Sequence, residues 1–445
     1  YDTAVISGTV ESLDRFFFFF SSLSGNYANS LLGFIVSSAL IGCIAGSASG
    51  GFFSQRLGRK RSLMLAAVLF IISCIGSAFP EIGMARPGEG DHTALVPFIA
   101  YRLTGGIGIG LASILSPMYI AEVAPAQIRG RLVSWNQMAI VIGILIVYFV
   151  NYLIARQGSE EWVHRMGWRW MFASEFIPAI LFFWLLWFIP ESPRYLALSG
   201  RKEKAFEILS GLNGLKNAQM EMDAILDSLK QRTGKLWSYG VRILIIGMLL
   251  SAFQQLVGIQ VMIYYAPEIF KNMGSSVQSS MFQTVLVGAM NLIFTVIAIR
   301  TVDRWGRKPL LLTGSVIMMC LMFVIGFSFY FQTFGIISLL AVLGFVGAFS
   351  LSWGPVTWVL LSEIFPNTIR GKAMALAVAV QWIMNFTVSS TFPLLDRSSY
   401  LMEKFNHSVS FWLFGIMAFL SIIFVWKMVP ETKGKSLEEM EHIWK

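Results

Sequence analysis

Among the charged residues within or at the edge of long apolar runs, three could form one chemical site. They are Asp2, Arg102 and Glu175. A charge in such a run is costly and therefore marks a functional position. A carboxylate beside a guanidinium stays ionised, whereas one left alone in apolar surroundings takes up a proton. We therefore predict a site that exchanges a proton when helices move; the alternative is a static buried ion pair.

Uncharged amides form a second group. Gln254 and Gln255 lie in one apolar run, and Gln260 and Tyr264 follow shortly after them. On an ideal helix Gln254 and Gln260 would not share a face, but Gly258 offers a break that could bring them together. Amides donate and accept hydrogen bonds, and aromatic faces are flat, so this group predicts a site for a neutral polyhydroxylated ligand. The alternative is that each buried amide only links helices.

Other residues of the second half extend this predicted binding site. They are Asn291, Gly354, Trp358, Gln381 and Trp382. No cluster of like charges accompanies them, which argues against an anionic or cationic ligand. The sequence also lacks a nucleotide-binding fingerprint and a nucleophile–base set, so neither a cofactor nor enzyme activity is predicted. The three cysteines lie in apolar runs without a CxxC spacing or a nearby His, and no metal site is predicted.

The elements that carry these residues are apolar. Of the 445 residues, 56% are hydrophobic and 13% are charged, whereas soluble proteins are roughly 25% charged. This composition excludes a soluble enzyme, a secreted disulfide scaffold and a disordered chain. The net charge of +9 does not indicate nucleic-acid binding, because the basic residues lie in short loops between apolar runs.

A membrane-spanning helix needs about 20 apolar residues. Eleven runs qualify: 31–53, 62–80, 96–121, 132–154, 168–189, 241–267, 279–299, 309–331, 334–362, 373–395 and 409–426. A first helix at 1–10, which we expect to be truncated because neither a start Met nor a signal peptide precedes it, would make twelve. In the long polar stretch 190–240, the segments 201–212 and 218–232 are predicted to be short helices.

The loops predict an orientation. Most basic residues lie in the loops after the second, fourth, sixth, eighth and tenth helices and in the C-terminal tail, and the opposite loops are slightly acidic. The basic side is therefore expected to be cytoplasmic, with both termini on it, in a multi-pass protein of the cell membrane.

Three motifs recur in the same order at an offset of about 240 residues, which indicates an internal duplication. The paired segments are 56–60 and 304–308, 122–131 and 363–372, and 190–194 and 430–434. We predict two six-helix halves that enclose a central site, the build of rocker-switch transporters. The domains are then 1–189, the cytoplasmic helical linker 190–240, 241–429 and the cytoplasmic tail 430–445.

The charged residues of these motifs are expected to form a cytoplasmic ion-pair network. Arginine forms bidentate hydrogen bonds with carboxylates. The network would therefore hold the two halves together in the outward-open state. Its members are Arg59, Glu122, Arg129, Glu191, Arg194, Arg307, Glu363, Arg370 and Glu431. The alternative is that the basic residues only anchor the helices at the membrane surface.

Together these motifs resemble the sugar porter family of the major facilitator superfamily. They include Pro190-Glu191-Ser192-Pro193-Arg194, Gln254-Gln255-x-x-Gly258-Ile259, Gly354-Pro355-x-x-Trp358 and Pro430-Glu431-Thr432-Lys433-Gly434. Within the family, segments 2–8 and 116–122 are most similar to bacterial D-xylose–proton symporters. The resemblance covers essentially the whole chain and implies an all-α membrane protein with the major facilitator fold: twelve transmembrane helices in two six-helix bundles, alternating access and monosaccharide uptake.

The resemblance also implies roles for individual residues. Asp2 matches the family's protonatable acid, and Tyr264 and Phe349 match its cavity aromatics. The positions that match its sugar contacts are Gln254, Gln255, Asn291, Trp358, Gln381 and Trp382. Two positions differ, because xylose symporters carry Gln where this chain has Ile144, and Asn where it has Gln260.

We therefore expect a proton-coupled importer of a xylose-like pentose or a hexose. Its partners would be a small neutral sugar, a proton and the lipid bilayer, without nucleic acid, and the chain is expected to be a monomer. Two alternatives stay open: a passive sugar uniporter of the same fold, and a sugar sensor that does not transport.

Overall fold

The chain is all-helical in the computed structural model, which describes residues 1–18, 25–83, 92–124, 129–230, 237, 239–366 and 369–433. In these residues eleven helices are long and apolar enough to cross a membrane. Each coincides with one predicted apolar run. The prediction of an all-α membrane protein is thus confirmed, while most of the tail 430–445 lies outside the described residues.

We number the long helices α1 to α12. The first, α1, has two segments, Asp2–Val5 and Val10–Phe18. The others are α2 Gly25–Arg56, α3 Arg59–Ala78, α4 Leu95–Val123, α5 Arg129–Ala155, α6 Glu160–Phe188, α7 Val241–Tyr264, α8 Val277–Trp305, α9 Arg307–Tyr330, α10 Ile336–Ile364, α11 Arg370–Asp396 and α12 Ser408–Met428. Three short helices follow α6: Pro193–Leu198, Lys202–Asn213 and Leu215–Lys230. The last two confirm the helices predicted at 201–212 and 218–232.

Two helices of the second half are interrupted near their middle. In α7 the break is at Gly258, whose φ of +92° lies in the left-handed region and ends the segment that begins at Val241. This confirms the predicted break. In α10 the break is at Ser352, directly before Trp353. Interrupted helices free backbone carbonyls inside the bundle, where side chains or a ligand can bind them.

Glycines allow α2 and α4 to pack with their backbones in contact. A Cβ atom on Gly42 would collide with the carbonyl of Leu103, and one on Gly106 would collide with the carbonyl of Ala39. Gly46 and Gly110, four residues further along each helix, lie equally close to the opposite backbone, so this spacing serves close helix packing.

We call 1–189 the N-terminal half and 241–429 the C-terminal half; these bounds stay a prediction. The face with the α2–α3 and α8–α9 turns is called the basic face. The halves touch near the opposite face, where α2 packs on α11 and α5 packs on α8. There the Tyr148 hydroxyl donates to the Ile263 carbonyl at 2.7 Å. The bundle is therefore closed at the face opposite the basic one.

Candidate functional site

The structure brings Asp2 of α1 and Arg102 of α4 together. Arg102 Nη1 donates to Asp2 Oδ1 at 3.0 Å, and only 2% of the arginine is exposed. The guanidinium also lies against the ring of Phe172 in α6, with Cζ 5.5 Å from the ring centroid. A buried guanidinium that loses its acid becomes an uncompensated charge, so any movement that separates this pair must change the charge of the site.

Glu175 belongs to the same charged cluster. It lies between the α6 segments Trp168–Ala173 and Phe176–Phe188, is buried, and interacts electrostatically with Asp2 and Arg102. Its Oε1 has no hydrogen-bond partner among the described residues. These side chains thus comprise two acids and one base in a region of low dielectric.

The amides of the C-terminal half join three helices. Gln254 Nε2 in α7 donates to the carbonyl of Trp353 in α10 at 3.0 Å. Gln381 Nε2 in α11 donates to Gln254 Oε1 at 2.7 Å. Gln255 lies beside them and is also buried. Trp353 is the first residue after the break of α10, so the amides and the start of this helical segment form one polar centre inside the bundle.

Tyr264 lies between this amide centre and the charged cluster. It is 3% exposed, its hydroxyl is 3.5 Å from Asn385 Nδ2 in α11, and its segment Ile259–Tyr264 packs on the α1 segment Asp2–Val5 of the other half. Because Asn385 lies one helical turn beyond Gln381, it shares the face that carries the amide centre. Tyr264 therefore lies where the two halves meet, one helical turn from the amide centre.

The remaining predicted binding residues occupy intermediate or buried positions. Asn291 Oδ1 accepts a hydrogen bond from Ser350 Oγ at 2.8 Å, which joins α8 to α10. No hydrogen bond of the described residues joins Gln260 to Gln254, so the break at Gly258 does not pair them. Half-buried positions are Gln260, Phe349, Trp358 and Trp382, and buried positions are Ile144 and Gly354.

The basic face of the N-terminal half carries a charged cluster. Arg59 Nη2 donates to Glu122 Oε1 at 2.8 Å, and Ser192 Oγ donates to the other oxygen of that carboxylate. Glu191 accepts the backbone N–H groups of Arg59 and Lys60 at 2.9 and 3.1 Å. The ends of α4 and α6 are thereby tied to the start of α3.

The C-terminal half repeats this arrangement. Arg307 Nη2 donates to Glu363 Oε1 at 2.8 Å, and Thr432 Oγ1 donates to the same carboxylate. Glu431 accepts the backbone N–H groups of Arg307 and Lys308. Burial acts to raise the pKa of Glu431, but backbone N–H donors outweigh it and hold this pKa below its usual value.

The network predicted from the sequence would join both halves, whereas each of these ion pairs lies within one half. Each acid meets the base of its own repeat, because equivalent motifs occupy equivalent places in two similar folds. Arg370 Nε donates to the Phe365 carbonyl at 3.2 Å, also within one half, and Arg194 is exposed on Pro193–Leu198. The side chain of Arg129 lies outside the described residues. A lock between the halves in the outward-open state stays a prediction.

Ion pairs that do join the halves lie on the opposite face. Arg397 Nη1, after α11, donates to Asp14 Oδ2 of α1 at 2.6 Å, and Nη2 donates to Glu268 at 2.5 Å. Lys271 Nζ donates to Glu11 of α1 at 2.5 Å. We call Asp14–Arg397 and Glu11–Lys271 the rim pairs. Burial raises the pKa of Glu268, although Arg397 beside it acts in the opposite direction.

Comparison with known proteins assigns this arrangement to a family. Residues 1–444 match the family described as sugar (and other) transporters. The chain belongs to this family. It is 54% identical to the D-xylose-proton symporter of Escherichia coli, over 100% of this chain and 92% of the relative. It is 40% identical to the glucose facilitated diffusion protein of Zymomonas mobilis, over 100% of this chain and 94% of that relative.

A solved structure of this transporter family confirms the fold. The xylose transporter of E. coli, in a partially occluded inward-open conformation, superposes with a TM-score of 0.89 at 52% identity, covering 98% of this chain and 95% of that one. The predicted major facilitator fold is confirmed, and the chain is a membrane transporter rather than an enzyme.

Sequence reasoning missed several polar contacts of this sugar transporter. Arg169 and Glu81 form a buried ion pair, with Nη2 to Oε1 at 2.6 Å and exposures of 0% and 1%. Arg169 was visible as a charge at a helix edge, but its acid lies beyond α3, in a segment that resembles an ordinary loop. Asn385 could have been found from its four-residue spacing to Gln381. Nothing in the local sequence indicates the rim pairs, because their partners lie 383 and 260 positions apart in the chain.

Proposed function

We propose that this chain is a proton-coupled importer of a neutral monosaccharide, a xylose-like pentose or a hexose, that works by alternating access. The observation that carries the proposal is the presence of the buried Asp2–Arg102 pair in one half and of the amide centre around Gln254 in the other. The named activity of the E. coli D-xylose-proton symporter, a relative at 54% identity, supports the substrate class and the coupling.

The amide centre supplies the chemistry that a sugar needs. Each sugar hydroxyl can donate and accept a hydrogen bond, and an amide offers both partners. Gln254, Gln255 and Gln381 would bind hydroxyl groups, while Trp358 and Trp382 would pack against the ring. At position 144 the buried side chain is Ile, so the N-terminal half offers no amide there, and binding depends mainly on the C-terminal half.

Proton coupling follows from the charged cluster. Arg102 compensates the charge of Asp2 in the ion pair. A movement that withdraws the guanidinium would leave an uncompensated charge inside the bundle, which uptake of a proton would neutralise. Glu175 is the second acid that can share the proton. Because the α1 segment Asp2–Val5 packs on the α7 segment Ile259–Tyr264, the movement that closes α7 on a sugar would also change this pair.

We infer that the basic face is cytoplasmic, since loops rich in Lys and Arg stay on the cytoplasmic side. Both termini would then be cytoplasmic, and the rim pairs would close the outside. The conformation is accordingly closed to the exterior, which agrees with its similarity to a partially occluded inward-open structure.

A passive uniporter is the second candidate function. The observation in its favour is the 40% identity to the glucose facilitated diffusion protein of Z. mobilis, which the chain also matches along its whole length. The two candidates differ only in whether uptake needs the proton gradient, so one variant can separate them.

The test is Asp2→Asn in proteoliposomes with and without an inward proton gradient. We expect the variant to lose accumulation driven by the gradient yet to keep exchange of labelled xylose, because the sugar site is unchanged while the proton carrier is gone. The matched control is Asp223→Asn, at an exposed acid of the helix Leu215–Lys230. Accumulation that is unchanged in Asp2→Asn would remove Asp2 from the coupling mechanism, whereas wild-type uptake that is indifferent to the proton gradient would favour the uniporter.

A further inference from the structure

Three side chains of the N-terminal half converge at the outer face in a pattern that suits a metal ion. Glu11 of α1 and Glu160 and His164 at the start of α6 place one ligand atom each within 4.8 Å of one another. His164 Nε2 is 3.6 Å from Glu11 Oε1 and 3.6 Å from Glu160 Oε1. Two ligands of a tetrahedral Zn²⁺ with bonds of about 2.1 Å lie about 3.4 Å apart. The two distances from His164 need only a small contraction, and the ligand atoms of Glu11 and Glu160 lie within 4.8 Å of each other.

His164 is already oriented as a ligand. Its side chain is 8% exposed, and its Nε2 has no hydrogen-bond partner among the described residues although it faces two carboxylates. Its other nitrogen, Nδ1, is 3.1 Å from Ser12 Oγ. Metal-binding histidines typically donate their second ring N–H to such a partner, which fixes the ring and leaves the lone pair of Nε2 for the metal.

A cation from the other half occupies the site in this conformation. Lys271 Nζ, on the helix Ala266–Asn272, is 2.5 Å from Glu11 Oε1 and 3.6 Å from Glu160 Oε1. Arg15 Nη2 also lies 2.9 Å from Glu11 Oε1 and 3.7 Å from Glu160 Oε1. The Arg15 side chain is half exposed, so it can rotate away from the acids towards the solvent. Glu11 and His164 of the cluster line a small cavity between the halves, to which Lys271 and its neighbours contribute the opposite wall.

We propose that Glu11, Glu160 and His164 form a Zn²⁺ site that Lys271 fills while the outer face is closed. When the halves separate on the outside, the ammonium leaves with the C-terminal half and the three ligands become accessible to the exterior. Nitrogen together with two carboxylates favours Zn²⁺ over Mg²⁺ or Ca²⁺, which take oxygen ligands. External Zn²⁺ would then hold the transporter open to the outside and inhibit uptake; this last step rests on the proposed alternating access.

The binding test does not depend on transport. Purified protein is titrated with ZnCl₂ by calorimetry, comparing wild type with Lys271→Met, which removes the competing charge. We expect Lys271→Met to bind one Zn²⁺ at least about tenfold more tightly than wild type. The double variant Lys271→Met with His164→Asn should bind Zn²⁺ at least about tenfold more weakly than Lys271→Met alone. MgCl₂ should give no heat. The matched control is Lys271→Met with His407→Asn, a histidine on the same face outside the cluster, which should keep the tight site.

The flux test then addresses inhibition. External ZnCl₂ should slow xylose uptake by wild-type proteoliposomes, EDTA should restore it, and His164→Asn should resist it while binding xylose normally. Lys271→Met that binds Zn²⁺ no better than wild type, or a tight site that survives His164→Asn, would overturn the proposed site. Tight binding without inhibition would keep the site and contradict its coupling to alternating access.

Discussion

At the scale of single residues, Gln254 has the most demanding position. One amide binds the Trp353 carbonyl and accepts from Gln381, so its removal leaves two buried polar groups without partners. We expect Gln254→Leu to weaken xylose binding by about 10- to 100-fold, since a site built to bind hydroxyl groups loses affinity when a partner is missing. Calorimetric titration with xylose measures this loss.

The control for Gln254→Leu is Gln219→Leu, at an exposed amide of the helix Leu215–Lys230 that contacts only Asp223 among the described residues. It should leave xylose affinity unchanged. If Gln254→Leu also keeps the wild-type affinity while the protein remains folded, Gln254 only links helices and the binding site lies elsewhere.

A second residue-scale prediction concerns pH. His407 Nδ1 lies 3.0 Å from Asp396 Oδ2, where α11 and α12 meet. Burial acts to lower the pKa of His407, but Asp396 outweighs it and the pKa is raised. Protonated His407 therefore stabilises the fold fully below its unfolded pKa of about 6.5, and this contribution is lost as the pH rises through the higher folded value.

We accordingly expect the thermal midpoint of the wild type to fall more between about pH 6 and pH 9 than that of His407→Gln. Scanning fluorimetry in detergent at several pH values gives both curves, and the variant should differ from the wild type mainly at the acidic end. Parallel curves would show that the imidazole is not stabilised by Asp396.

At the scale of the element, the break in α7 positions both functional groups, because Gln254 precedes Gly258 and Tyr264 follows it. The φ of Gly258 is +92°, and a Cβ there would lie 2.6 Å from the ring of Phe414. We expect Gly258→Ala to lower the thermal midpoint and to weaken xylose binding, because it adds this clash to a backbone strain of about 1–2 kcal/mol.

Gly274 provides a matched control, since its φ is also +92° but a Cβ atom there would meet nothing within 4 Å among the described residues. Gly274→Ala should show the backbone strain alone and keep its affinity for xylose. Equal effects of the two substitutions on stability and binding would mean that the contact between α7 and Phe414 does not matter for the site.

At the scale of the whole molecule, the rim pairs set the balance between conformations. Asp14 reaches Arg397 across the halves, whereas Glu268 binds the same arginine from within the C-terminal half. Both partners of the Asp14 pair are partly exposed, so we expect Asp14→Asn to shift the equilibrium towards the outward-open state by about 1 kcal/mol or less, up to about fivefold in population. Glu268→Gln should not weaken this contact between the halves.

Spin labels at exposed Tyr27 and Tyr400, on the outer ends of the two halves, report this opening as a longer distance. Cys320 is exposed and must first be replaced by Ser, while Cys43 and Cys74 are buried. A distance distribution of Asp14→Asn that matches the wild type would show that the rim pair does not contribute to closure.

Local sequence alone determined the spans and the chemistry of the site. Eleven apolar runs became eleven helices, since the length needed to cross a bilayer is a property of each run by itself. The pair Asp2–Arg102 also followed from sequence, because a charge inside an apolar run must find an opposite charge. The amides on α7 and α11 were predictable because a polar group inside an apolar run likewise needs a hydrogen-bond partner.

Only the tertiary structure decided which polar groups meet across long distances. The motif acids bound the bases of their own half, Gln254 of α7 bound the Trp353 carbonyl of α10, and Glu11 of α1 met Glu160 and His164 of α6. Such contacts depend on how packed helices are rotated and staggered, which periodicity does not specify. Closure of one face is likewise a property of two bundles in contact, and no single segment of the chain encodes it.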